Sequence, residues 1–92
     1  MKTWKEFTEE LKKKNPETKL ILEEAETLAK IIAEIIDKRE ELGYSQRDLA
    51  KICKLPQSSI ARIESLRVMP KIDTLLTIMH PLGLSLSVIS AK

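Results

Sequence analysis

The sequence predicts an all-α fold of five helices with a short C-terminal β-strand, and three observations carry that expectation. The chain of 92 residues is 42% hydrophobic and 33% charged, with Leu, Ile, Ala, Glu and Lys prominent. Only two glycines are present, too few for the many tight turns of an all-β fold. Apolar residues also recur at spacings of three and four through most of the chain. The apolar fraction is too high for a disordered chain and the charge too high for a membrane protein. At this length a single core buries roughly two-thirds of the surface that the unfolded chain exposes, so one domain with an appended arm is expected.

Thr3-Trp4-Lys5-Glu6 has the pattern of a capping box, in which the threonine accepts from a backbone N–H while the glutamate reaches back. Trp4, Phe7 and Leu11 then fall on one stripe of a short helix. Lys12, Lys13, Lys14, Asn15 and Pro16 close it, with cations at the negative end of the dipole. Residues 1–15 read as a helical arm. Asn15-Pro16 also opens the next helix, as N-cap and first helical residue, and residues 16–92 read as the main domain. The long helix is expected over 16–42, with Gly43 as its left-handed closing residue. Leu20, Ile21, Ala25, Leu28, Ile31, Ile32, Ile35 and Ile36 are apolar positions on it. Glu23, Glu24 and Glu26 make its early turns acidic. It is long for a globular helix, and a break would fall near Glu26-Thr27.

Ser45-Gln46-Arg47-Asp48 is a second cap signature and opens a helix over 45–53, with Leu49, Ala50 and Ile52 inward. Cys53-Lys54-Leu55-Pro56 interrupts it. A helix over 57–65 follows, with Ile60 and Ile63 inward. A loop from Leu66 to Pro70 leads to a last helix over 72–82, carrying Ile72, Leu75, Leu76, Ile78, Met79 and Leu82. Pro81 removes a donor from its final turn and should bend or fray it, and Gly83 stops it. Leu84 to Val88 alternates with period two, which predicts a strand over 84–89. A lone strand leaves its backbone groups unpaired, so a homodimer is expected in which Leu84, Leu86 and Val88 meet their symmetry mates.

Function classes narrow in the same way. One cysteine, Cys53, makes no internal disulfide, and one Cys with one His, His80, builds no metal cluster, so no cofactor is expected. Cys53 falls on an inner face and reads as core. The amino terminus lacks the apolar run of a signal peptide, and no apolar stretch is long enough to span a bilayer. The expectation is a cytoplasmic protein without a membrane partner. An enzyme would need a nucleophile, an acid/base pair or a metal site, and none stands out. Residues 1–43 carry nine Lys/Arg and eleven Asp/Glu, a balance of −2, whereas residues 44–92 carry seven and three, a balance of +4. An acidic half joined to a basic half suggests two partners, one of them polyanionic.

The two short helices carry the strongest pattern. Ala50 is small because the second helix crosses there, and Leu49, Leu55, Ile60 and Ile63 fix the angle between them. Gln57, Ser58, Ala61 and Arg62, with Ser59 beside them, are left outward as short or fork-shaped groups able to reach base edges. Residues 44–83 resemble the helix-turn-helix domain of the Xre and Cro/cI-type repressors, through SQRDLA at 45–50, LPQSSIARIE at 55–64, Pro70 and the run Thr74–Gly83. That resemblance implies that Gln57, Ser58 and Arg62 read bases in the major groove of double-stranded operator DNA. It implies phosphate contacts for Gln46 and Arg47, a buttress from Gln46 to Gln57, and backbone contacts for Arg67 and Lys71. The chain departs from the pattern at Lys54, Pro56 and Ser65-Leu66, where the family has glycine, serine and Asn-Gly. Lys54 and Leu66 would cost up to about 1 kcal/mol each in a left-handed conformation, so the helix ends are expected to shift by a residue.

The wider layout, an aromatic N-terminal helix ahead of such a domain, resembles the HigA family of type II antitoxins. That resemblance implies a HigB/RelE-like ribonuclease toxin as partner and repression of the chain's own operon. Trp4, Phe7 and Leu11 would anchor the toxin while Glu23, Glu24 and Glu26 complement its cationic surface. Alternatively the stripe covers the chain's own core and the protein is a stand-alone phage-type repressor.

Overall fold

The computed structural model of the chain describes residues 3–14 and 16–90, apart from the side chains of residues 11, 12 and 14. These residues form α1 (Trp4–Lys14), α2 (Pro16–Glu41), α3 (Gln46–Cys53), α4 (Gln57–Glu64) and α5 (Ile72–Met79), followed by a 3-10 turn over His80–Leu82. The Asn15 cap and the Leu11 side chain lie outside the described residues. The chain divides into two units, Met1–Ile31 and Ile32–Lys92.

In the first unit, Glu6 N–H donates to Thr3 Oγ1 at 3.1 Å and so begins α1 as the capping pattern requires. Trp4 and Phe7 sit with ring centroids 6.1 Å apart. They remain 70% and 47% exposed, which makes them a surface stripe and not an internal core. Thr8 is buried instead, its hydroxyl donating to Lys5 O at 3.0 Å. α2 is unbroken through Glu26-Thr27, and the Thr27 hydroxyl satisfies itself within the helix by donating to Glu23 O at 3.0 Å.

The second unit is built on a core that draws from every helix in it. Ile32 and Ile35 of α2 are buried, as are Leu49, Ala50 and Cys53 of α3, and Ile60 and Ile63 of α4. Leu75, Ile78 and Met79 of α5, with Leu82, complete it. Burying each Leu or Ile of this kind contributes about 1.5–3 kcal/mol. Cys53 Sγ donates to Thr77 O at 3.6 Å, and burial pushes its thiol up from the ordinary value. Ile52, expected inward, is 46% exposed. Leu49, Ala50 and Cys53 already fill the inner arc of a two-turn helix, and Ile52 falls beside that arc.

Helix ends repeat one device. After α2, Gly43 N–H bonds Glu40 O and Tyr44 N–H bonds Arg39 O, both at 3.0 Å. After α3, Lys54 N–H bonds Lys51 O at 3.3 Å and Leu55 N–H bonds Ala50 O at 2.9 Å. Leu66 and Arg67 after α4, and Gly83 and Leu84 after the 3-10 turn, do the same. This is the Schellman closure, with its pivot in the left-handed region. Gly43 and Gly83 adopt φ of 78° and 74°, and Lys54 and Leu66 adopt 57° and 61°. The expected one-residue shift of the helix ends is therefore wrong. Two backbone hydrogen bonds per closure outweigh the steric cost of a side chain at the pivot.

Two further expectations are corrected. The last helix does not run as one α-helix over 72–82, because Pro81 has no N–H to donate, and the chain tightens into the 3-10 turn after Met79. Residues 84–89 form no strand, and among the described residues there is no strand at all. Alternation with period two marks a chain whose side chains can take opposite sides, but a strand exists only with a ladder partner. Leu84 instead spends its N–H on Met79 O at 3.0 Å. Beyond it, Leu86 is 39% exposed and Val88 fully so.

Candidate nucleic-acid interface

The site is set by how α3 and α4 are pinned. Ser45 Oγ accepts from Asp48 N–H at 3.0 Å while Asp48 Oδ2 accepts from Ser45 N–H at 2.9 Å, so α3 opens with a complete capping box. The Ser45 backbone N–H, and then its hydroxyl, hold the Asp48 carboxyl below the usual carboxylate range. The closure at Lys54 then turns the chain into α4, whose N-cap Pro56 is extended and supplies no side-chain cap.

Along α4, Ile60 and Ile63 face the core while Gln57, Ser58 and Arg62 are exposed. Ser59 is half-buried at the margin of that outer stripe, and Ala61, also half-buried, falls within it. The last residue of α4 points inward. Arg39, near the end of α2, donates through Nε to Glu64 Oε2 at 2.7 Å and through Nη2 to Glu64 Oε1 at 2.9 Å. Its Nη1 donates to Tyr44 O at 2.8 Å, in the turn before α3. Gln46 Nε2 adds a bond to Glu64 Oε1 at 2.9 Å. The two charged side chains are 12% and 6% exposed, and the bidentate bond to Glu64 holds the Arg39 guanidinium above its ordinary value. One arginine thus ties α2, the turn and α4 into a fixed frame.

This network corrects one expectation. The amide of Gln46 is bound to Glu64, in place of the buttress to Gln57. The sequence reading assigned no role to Arg39, because a cation in the last turn of a helix ordinarily reads as a dipole complement. Glu64 stood in the motif without a partner, since 25 residues separate it from Arg39 and no periodicity links them.

Arg62 lies between two hollows. One, of about 240 Å³, is lined by Ala61, Arg62, Ser65 and Arg67. The other, of about 360 Å³, brings Ser59, Arg62, Lys71 and Thr74 together with Leu55, Val68, Met69 and Pro70. Val68 and Met69 were not singled out in the sequence, although their exposure places apolar surface beside the cations. Arg47, Arg62, Arg67 and Lys71 are all exposed. Of the three acids of residues 44–92, Glu64 is paired with Arg39, while Asp48 and Asp73 stay charged and accept backbone N–H groups, Asp73 from Thr74 at 2.7 Å. Cations still outnumber acids in this half, seven to three. Leu84, Leu86 and Val88 lie in the C-terminal tail, and Gln57 and Ser58 line neither hollow.

Among the described residues, no three His, Cys, Asp or Glu side chains come together to hold a metal ion, and no helix is long and apolar enough to cross a membrane. No solved structure matches the chain. Residues 35–89 match a family model described as helix-turn-helix. The chain is 33% identical over 89 residues, 97% of its length and 86% of the relative's, to an uncharacterized HTH-type transcriptional regulator of Haemophilus influenzae. With α3 and α4 joined by a tight turn inside the matched span, the chain belongs to the helix-turn-helix family of DNA-binding transcriptional regulators.

Proposed function

We propose that the protein is a sequence-specific repressor that binds operator DNA as a homodimer and serves as the antitoxin of a type II toxin–antitoxin module. The observation that carries the DNA reading is the split of α4, with Gln57, Ser58 and Arg62 outward while Ile60, Ile63 and Glu64 are fastened to the frame. Gln57, Ser58 and Arg62 read base edges, with Ser59 and Ala61 lining the stripe. Arg47, Arg67 and Lys71 hold the phosphate backbone, and Gln46, fixed by Glu64, supports the start of α3 against it. Arg62→Ala should weaken operator binding by about 1–3 kcal/mol and relax preference at one base position. Lys71→Ala should weaken all sequences alike and flatten the salt dependence. A gel-shift titration at two salt concentrations reads both, and unchanged operator binding by Arg62→Ala would mean that the face is misassigned.

The antitoxin role rests on the first unit. Trp4 and Phe7 stand exposed on α1, and Glu23 and Glu24 stand exposed on α2, with Glu26 half-buried beside them. An aromatic stripe on one helix and an acidic stretch on the next suit a basic RelE-like ribonuclease, the aromatics anchoring and the acids raising the on-rate. Trp4→Ala with Phe7→Ala should abolish protection in a co-expression toxicity assay while leaving the melting temperature and operator affinity in place. Early melting with intact protection would return the stripe to a structural role and favour a stand-alone repressor.

A further inference from the structure

We infer that one face of α2, formed by Leu20, Glu23, Glu24, Thr27, Leu28 and Ile31, is a docking groove for a basic amphipathic α-helix of a partner protein. These residues line a shallow, open depression of about 400 Å³, and all of its described lining residues lie on α2. Their spacing of three and four residues is the seam against which a second helix packs. From Leu20 to Ile31 the seam is about 16 Å long, three turns of the unbroken α2. Leu20 is 58% exposed, and its neighbour Ile21 64%. Leu28 and Ile31 are half-buried.

The chemistry of the occupant follows from the rim. Among the described residues, Glu23 and Glu24 are the charged ones lining the groove, both exposed, and no described cation lines it. An apolar stripe flanked by Lys or Arg satisfies both the seam and the rim. A second α2 would bring two more carboxylates to the same rim, and DNA is excluded by charge. The inference deepens the partner role proposed above for the acidic end of the chain and rests on it. It adds Leu20, Thr27, Leu28 and Ile31, to which that role gave no part.

The test uses the full chain and two synthetic helical peptides with one leucine stripe, flanked by lysines in the first and by glutamates in the second. Calorimetry should find the lysine peptide bound about tenfold more tightly at low salt, with the difference shrinking as salt screens it. Glu23→Lys with Glu24→Lys, both at exposed positions, should reverse the preference while circular dichroism and operator binding stay unchanged. Leu20→Lys should weaken both peptides. Equal binding of the two peptides, no binding of either, or an unaltered preference in the double variant would overturn the inference. So would self-association abolished by Leu20→Lys in sedimentation, which would give the groove to a second copy. The antitoxin reading fails separately: if the peptides discriminate as expected but the purified partner has no ribonuclease activity, the groove stands and that reading falls. If toxin protection survives Leu20→Lys with both glutamate reversals, the groove falls and the antitoxin reading stands.

Discussion

Lys54 and Leu66 hold a conformation in which an L side chain crowds the following carbonyl, at a cost of about 1 kcal/mol each. Both side chains are exposed, so little packing would be lost on removing them. Lys54→Gly and Leu66→Gly should therefore each raise the stability of the second unit by up to about 1 kcal/mol, less the extra freedom that glycine gives the unfolded chain. Urea midpoints measure this directly, and a lower midpoint in either variant would mean that the side chain has a compensating contact. The same residues show where sequence reasoning failed. Propensity marks Lys and Leu as poor pivots, and it does not register that closing α3 and α4 satisfies two backbone carbonyls apiece.

Among the elements, α3 opens on a complete capping box, and it was legible from Ser45-Gln46-Arg47-Asp48 alone. Because Ser45 depresses the Asp48 pKa in the folded state, the box stabilises α3 above the unfolded carboxylate pKa and is lost as pH falls through the lowered folded value. Urea midpoints measured from neutral pH downward should fall less steeply for Asp48→Asn than for the parent chain over that acidic window. Identical slopes would remove Asp48 from the acid response. Helix identities were similarly legible, since apolar spacing is a local property, and the outward residues of α4 followed from its inward ones. The frame around Arg39 was not, because an ion pair between distant positions leaves no periodic trace. The tail was misread for a related reason: alternation encodes the directions of side chains and says nothing about whether a neighbouring strand exists.

At the level of the whole molecule, part of the apolar surface left exposed by the second unit lies in its last stretch. Ile72 and Leu76 are exposed on α5, and Leu86, Val88 and Ile89 in the tail. A second copy covering Leu84, Leu86 and Val88 would hide the tail's share of it and set two α4 helices about 34 Å apart, one turn of DNA. Removing residues 84–92 should then convert dimers to monomers in sedimentation and weaken operator binding, and a dimer that survives would shift the interface to α5. The Arg39–Glu64 pair carries a consequence for how sequences of this kind diverge. Neither residue can be replaced alone without stranding a charge that is nearly out of water. Even Arg39→Lys loses the fork that serves Glu64 and Tyr44 together. Positions 39, 46 and 64 should consequently drift as a set: relatives that abandon the acid at 64 should carry an uncharged residue at 39, while positions 57, 58 and 62 remain free to change with each operator.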